Sequence, residues 1–364
     1  MNKKDAEVVA VVSLFAGMDK FLWGMTLAGM KAGYACEYNK WAAKMHELNF
    51  KDLNGDSIVH WKHLSAEEMK PILKKLDDPK SEKKRKKQVG IQYILHKDGS
   101  ATRPEIVQEL DGASIRKQLE KMYGVKVRIV LIGGAPCQDF TKLNVNSDGE
   151  RNSLIFEFTR LMMRGLDPDV AIMEEVPDVL NKHHFPLYQQ FLAQAHELGY
   201  KIAYQVMNAL HYDGCQNRKR CIAVMVNDRL QKQPVFPEPR PESAIRIGEA
   251  LDVDYLFSGH FTDVIKTCRD FAGTVTSGSP LWVKKNGVKR PPTKQELLRL
   301  QGVTKDLEYQ FPEGTPKQQI KIAIGNAVPL NLSFHIAKTV MEEIFEIPVE
   351  YEYNSVTNQK VKQQ

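Results

Sequence analysis

Cysteine is scarce in this chain of 364 residues, and what there is does not pair. Cys36, Cys137, Cys215, Cys221 and Cys268 are five in all, an odd number, far apart and without a Cys-x-x-Cys among them. That excludes a disulfide framework and a zinc knuckle, leaves no metal site expected, and suits free thiols in a reducing cytoplasm. Glycine (23) and proline (18) stay at ordinary globular levels, which excludes collagen-like and low-complexity chains. No internal repeat is visible. Charge of one sign is not dominant either: a net charge of +6 permits a polyanionic partner without demanding one. The apolar run Val8 to Met18 falls short of the roughly 20 residues that span a bilayer. Although Lys3 and Lys4 precede it, Asp5 and Glu7 interrupt the basic segment and no small-x-small cleavage site follows. It reads as a buried strand entering a turn, so a cytoplasmic chain with no membrane partner is expected.

What is present is alternation. Val8 to Phe15, Val127 to Ile132, Asp169 to Met173, Lys201 to Asn208 and Cys221 to Val226 read as strands. Between them, apolar residues fall at helical spacing: Phe21, Met25 and Ala28 within 21–32; Leu154, Phe158, Leu161 and Met162 up to Gly165; Leu187, Phe191, Ala195 and Leu198 up to Gly199. Helices long enough to cross over between buried strands predict an α/β fold with a parallel sheet covered on both faces.

Two stretches break the rhythm. Residues 65–110 are charged and read as a solvated insertion; their basic core, Lys80 to Lys87, also suits contact with nucleic-acid phosphates or a nuclear-localisation signal. Residues 227–290 are rich in Pro, Gly, Ser and Thr, with strand-like pieces such as Gly273 to Val283, and read as a small irregular second domain. Helical patterning returns at Lys294 to Leu300 and at Leu332, Ile336, Val340 and Ile344, and the polar tail from 350 is expected to fray.

Three motifs carry chemistry. In residues 130–140, VLIGGAPCQDF, a buried strand runs through Gly133, Gly134 and Pro136 to Cys137, placing a thiol at the strand's carboxyl end, where α/β folds bind ligands. Held there, it can be activated as a thiolate, although a lone cysteine is more often a buried structural one. Glu174 ends the strand VAIMEEV; it is suited to general-acid work if burial raises its pKa, or else is a surface carboxylate at a strand-loop junction. In GCQNRKRCIAV, Arg218 and Arg220 alternate into a strand and point the same way, as in a phosphate or carbonyl clamp or a plain basic edge.

Taken together and in order, these motifs resemble the DNA (cytosine-5) methyltransferase family. SLFAGMDKF matches its opening Phe-x-Gly cofactor loop, CEYNKWA the acidic-aromatic pair, GGAPCQDFT the Pro-Cys nucleophile loop and MEEV the Glu-Asn-Val motif. QNRKR matches Gln-x-Arg-x-Arg, RPPTKQELLRLQG the segment after the recognition domain and GNAVP the final cofactor motif. The resemblance runs from residue 8 to about 340, leaving 65–110 and the recognition region uncovered.

It implies a Rossmann-like class I methyltransferase fold with a doubly wound, mixed, mostly parallel sheet. The catalytic domain would be discontinuous, 1–226 plus 291–349, around a target-recognition domain at 227–290, with a tail at 350–364. It implies S-adenosylmethionine as cofactor, S-adenosylhomocysteine as product and double-stranded DNA as partner of a monomer associated with the nucleoid. Cys137 would add to carbon 6 of a flipped cytosine, Glu174 would protonate or hydrogen-bond the ring nitrogen, and carbon 5 would take the methyl group. Arg220 would hold the carbonyl oxygen and Arg218 would brace the Glu or a phosphate. Phe15, Gly17 and Pro136 would line the cofactor site, Glu37 would bind the ribose hydroxyls, Tyr38 would stack on adenine and Asn326 would complete the pocket; Asp56 and Asp111 compete for the adenine amino group. TVTSGS (274–279) resembles the strand that approaches the DNA groove, with Arg269, Lys284 and Lys285 available for backbone contacts.

The chain departs from the family at three points. Asp19 and Lys20 replace two glycines of the cofactor loop; they would point outward, Lys20 would pair with the cofactor carboxylate, or the cofactor would differ. Glu175 replaces the Asn that braces the nucleophile loop, and would raise the pKa of Glu174 if both were buried. Thr141 replaces a serine. Phe140-Thr141 also occurs in an RNA-modifying branch, so an RNA cytosine remains an alternative substrate, as does a catalytically silent DNA-binding homologue. The target sequence and a cognate restriction enzyme stay open.

Overall fold

Strand β1 (Val9–Leu14) is buried at every position, as a strand covered by helices on both faces must be. The computed structural model describes residues 7–74, 90–135, 154–258, 264–278, 280–305 and 307–353. Pro136, Cys137, Thr141 and the basic run Lys80 to Lys87 lie outside them. After β1 come α1 (Lys20–Leu27), β2 (Lys31–Cys36), α2 (Lys40–Asn49), β3 (Trp61–Leu64), α3 (Ala66–Lys74), β4 (Ile94–Leu95) and β5 (Ala101–Pro104). The chain continues through α4 (Gly112–Tyr123), β6 (Arg128–Gly133), α5 (Ile155–Leu161), β7 (Val170–Glu175), α6 (Phe185–Glu197), β8 (Tyr200–Asn208) and β9 (Lys219–Asn227). Then follow α7 (Ile247–Ala250), β10 (Tyr255–Ser258), β11 (Val264–Thr267), β12 (Leu281–Lys285), β13 (Val288–Arg290), α8 (Lys294–Leu300), α9 (Lys317–Asn326) and α10 (Leu330–Thr339).

The main sheet has the order β2-β1-β6-β7-β9-β8. Pairings β1–β2, β1–β6 and β6–β7 are parallel, while β9 runs antiparallel to both β7 and β8. This is the α/β sheet that the alternation predicts, in the doubly wound, mixed, mostly parallel form that the resemblance implies. Strand side chains alternate between two cores. Val11, Val130, Ile172 and Val224 face the core shared with α1 and α10, whereas Val12, Leu131, Met173 and Ala223 face α4, α5 and α6. Strand order reverses between β1 and β6, and the carboxyl ends there form the crevice in which such sheets bind ligands. Among the described residues no helix is long and apolar enough to cross a membrane.

Four expectations need correction. The helix expected over 21–32 ends at Leu27, because Gly29 turns the chain at φ 97° and Ala32 enters β2. The segment 65–110 is not simply a solvated insertion: β5 pairs with β3 and β4, and Leu64, Met69 and Ala101 bury a small core of their own. Of the stretch 273–283, only the portion from Leu281 is strand, pairing with β10 and β13 in a four-stranded sheet; the described residues 273–278 form none. The tail does not fray at 350, since Tyr353 is buried, donates its hydroxyl to the Gly302 carbonyl and stacks on Phe334.

The C-terminal helices return to the site. Helix α8 begins with a capping box, in which Thr293 Oγ1 accepts from Glu296 N at 3.2 Å and Glu296 Oε2 accepts from Thr293 N at 2.7 Å. At the end of α9, Gly325 touches the 274–278 segment so closely that a Cβ there would lie 2.3 Å from Ser277 N. The obstacle is backbone and cannot rotate aside. Gly325→Ala is therefore expected to destabilise the fold by about 1–3 kcal/mol, read from urea unfolding midpoints.

Candidate active site

The turn after β1 is wound tightly: Phe15, Gly17 and Asp19 adopt φ of 55°, 58° and 52°. Two of these are not glycine, and left-handed backbone at such residues is characteristic of ligand-binding turns. Glu37, at the end of the neighbouring β2, holds the turn: its carboxylate accepts from Gly17 N and from Asn39 N, both at 2.7 Å. Burial pushes the Glu37 pKa up, against those two backbone hydrogen bonds. Both oxygens keep acceptor capacity for a diol. Beside it the Tyr38 ring is 46% exposed, and Asn326 is exposed at the end of α9.

Across the switch point, Glu174, the penultimate residue of β7, forms an ion pair from Oε1 to Arg220 Nε at 2.5 Å, both side chains nearly buried. Gly134, three residues before Cys137, passes directly beneath this carboxylate. A Cβ on Gly134 would sit 2.6 Å from Glu174 Oε2, so a larger residue there would displace that carboxylate. Glu174, Arg220 and the entry to the Cys137 loop thus converge at one sheet edge.

Arg218 bonds three backbone carbonyls. Fully buried, it donates from Nη1 to the Val275 carbonyl at 2.8 Å and from Nη2 to those of Gly325 (2.8 Å) and Ala327 (3.1 Å). Gln216, to which the sequence reading gave no role, works with it. Its Oε1 accepts from Val275 N at 2.6 Å and its Nε2 donates to the Leu300 carbonyl at 3.0 Å. The motif Gln-x-Arg-x-Arg is thereby split, with two residues stapling the 275, 300 and 325 segments together and one reaching Glu174. The only sequence signal for this was the place of Gln216 at the head of the motif.

The departures from the family resolve differently from the sequence reading. Neither Asp19 nor Lys20 points outward: they are 2% and 0% exposed. Asp19 caps α1 by accepting from Leu22 N at 3.0 Å and pairs with His46 Nε2 at 2.9 Å. Glu175 lies on the opposite face of β7 from Glu174, on the side of Tyr188 and Cys221, as strand alternation requires. The carboxyl that rises is Glu175 itself, well above its usual range, through burial first and the Glu174 charge second. The folded state then keeps a proton that the unfolded chain releases above about pH 4.5, so this group costs stability as pH climbs. Glu175→Gln is expected to raise the melting temperature relative to wild type, with a gain that grows from pH 4.5 to pH 8 in paired thermal melts.

In the segment 227–290, one face of the four-stranded sheet buries Leu256 and Val283 and the other presents Tyr255, Phe257 and Trp282. Lys284 and Lys289 lie over those rings, Lys289 Nζ 4.5 Å from the Phe257 centroid. Lys285 is engaged by Asp252, while Arg269 is exposed.

Fold and site together define a class I methyltransferase. Comparison with known proteins narrows this. The sequence model of the family described as C-5 cytosine-specific DNA methylase matches residues 104–271. A Type II methylase of Herpetosiphon aurantiacus is 32% identical over 117 residues, 32% of each chain. A Type II methyltransferase of Methanothermobacter thermautotrophicus is 23% identical over 292 residues, 63% of this chain and 87% of that one. The crystal structure of a putative DNA modification methyltransferase encoded within an E. coli prophage has the same fold, with TM-score 0.62 at 17% identity over 92% of this chain and 99% of that one. The chain is thus similar to DNA (cytosine-5) methyltransferases, the family match falling on residues 104–271 and the fold likeness covering most of its length.

Proposed function

We propose that this enzyme methylates carbon 5 of a cytosine turned out of a DNA duplex, through a covalent adduct with Cys137. The observation that carries the reading is the Glu174–Arg220 ion pair beside Gly134, at the entry to the Cys137 loop. Carbon 5 of cytosine is too weak a nucleophile to act unaided. Thiolate Cys137 adds to carbon 6, and Glu174 gives a proton or a hydrogen bond to the ring nitrogen, so that the electron pair from the broken double bond resides on carbon 5 as an enamine. Arg220 holds Glu174 and the cytosine carbonyl oxygen. After methylation a base or water removes the carbon-5 proton, and the electrons of that bond expel Cys137 as thiolate. Arg218 and Gln216 are positioning residues. A target atom inside the stack is unreachable, hence the flipped base.

The residues fit S-adenosylmethionine. Glu37 suits the ribose hydroxyls and Tyr38 the adenine ring, with Phe15, Gly17, Pro136 and Asn326 as the remaining lining. When bound, that cofactor supplies an electrophilic methyl group. The basic aromatic face of Trp282, Lys284 and Lys289, with Arg269, suits a nucleic-acid backbone, and an endonuclease reading the same sequence is the partner expected of a Type II enzyme.

The experiment is incubation of the purified protein with methyl-labelled S-adenosylmethionine and either mixed-sequence duplex DNA or tRNA. Label on DNA at cytosine is expected. Label on tRNA alone would favour the RNA reading, for which Phe140-Thr141 is the support. Folded protein that labels neither defeats the proposal.

A further inference from the structure

Lys20 is the one replacement of the cofactor loop that the site, as described, leaves unexplained. It is completely buried, and its Nζ has no hydrogen-bond partner among the described residues. It opens α1 immediately after the left-handed turn of residues 15–19, at the switch point of the sheet. An ammonium in such a place demands an anion, because burial without a partner is costly.

On its own element, Asp19 is consumed by Leu22 N and by His46 of α2. On β2, Glu37 serves Gly17 and Asn39. On β7, Glu174 is paired with Arg220, and Glu175 faces the other side of the sheet. On β9, Arg218 and Arg220 add positive charge and, together with burial, push the Lys20 pKa well below that of a free lysine. From the C-terminal side Tyr309, whose hydroxyl is spent on the Met18 carbonyl, brings no charge. Among the described residues, the basic side chains Lys20, Arg218 and Arg220 thus meet there, and the carboxylates of Asp19, Glu37 and Glu174 are already engaged.

We propose that Lys20 is the receptor for the carboxylate at the amino-acid end of the cofactor, a side-chain device where the family uses glycine backbone. The inference rests on the cofactor reading above and deepens it. A carboxylate delivered to Lys20 restores its preference for the ammonium form, so binding takes up a proton at pH values between the free and bound pKa of the lysine. The ligand that fits is an α-amino-acid carboxylate attached to a nucleoside. A phosphate of the DNA backbone shares the anionic chemistry and is the competing source.

The test is calorimetric titration of wild type and Lys20→Met with S-adenosylhomocysteine, and with 5′-methylthioadenosine, which lacks the carboxylate. A duplex oligonucleotide forms a third arm, and two buffers of different ionisation heat report proton uptake. Lys20→Met is expected to bind S-adenosylhomocysteine roughly 10- to 100-fold more weakly, to bind 5′-methylthioadenosine and duplex as wild type does, and to lose the buffer dependence. It should also melt higher than wild type, since a buried amine without a hydrogen-bond partner is gone, which separates the loss from misfolding. Equal weakening of both nucleosides, unchanged S-adenosylhomocysteine binding, or a loss confined to the duplex would each overturn the assignment. Wild type that binds S-adenosylhomocysteine no more tightly than 5′-methylthioadenosine overturns it as well. Wild type that binds neither nucleoside overturns the cofactor reading itself.

Discussion

Cys137→Ala is expected to lower the methylation rate on the order of 10⁴-fold or more, as removal of a covalent nucleophile does, and to abolish the denaturation-resistant complex with a 5-fluorocytosine duplex. Fluorine at carbon 5 cannot leave as a proton does, so the wild-type adduct is trapped after methyl transfer. The expectation is strict because no other described thiol can substitute. Burial pushes the Cys215 thiol up to about 12 and the Cys221 thiol up to about 11, and raises Cys36 too. None of these is a thiolate near neutral pH. Cys268 lies in the turn after β11, within the region of the small antiparallel sheet. Gel-resolved adduct and single-turnover methylation measure both halves. A trapped complex that persists in Cys137→Ala would remove the thiol from the mechanism.

Glu174→Gln is expected to reduce single-turnover methylation by about 10² to 10⁴-fold, the range for a lost general acid, with duplex affinity changed far less. The amide keeps the shape beneath which Gly134 passes, but it cannot deliver a carboxyl proton and forfeits the charge that Arg220 meets at 2.5 Å. Its neighbour offers no rescue. Glu175 is one residue along a strand and therefore on the other face, 1% exposed, with Oε2 taken by Val176 N at 3.3 Å. Glu175→Gln should accordingly leave most of the rate in place, and the pair of variants distinguishes a catalytic carboxylate from a merely buried one. Equal losses in both would point to a shared structural role instead.

Much of the fold was legible because its signals are local. The β-branched runs, the helical spacing of Phe158, Leu161, Phe191 and Ala195, and the place of Glu174 near a strand end depend on periods of two and 3.6 that a short window contains. The helix expected to reach Ala32 shows the limit. Gly29 ended it, although the apolar spacing through Ala28 gave no warning.

The sequence by itself determined five strands of the main sheet, helices that cross between them, and the ordered motifs that resemble those of the family. Only the tertiary structure decided where the polar side chains of those motifs spend their hydrogen bonds. Arg218 bonds a carbonyl 107 residues away, Tyr309 one 291 residues away, and Tyr353 closes on Gly302 where a frayed tail was expected. Asp19 turned inward to cap a helix and meet His46, and Lys20 followed it into a crevice whose carboxylates were already engaged. Such choices depend on which distant groups are brought within about 3 Å, and on the cost of leaving a buried charge unmet. No local pattern carries that information, because it is set by how the whole chain packs.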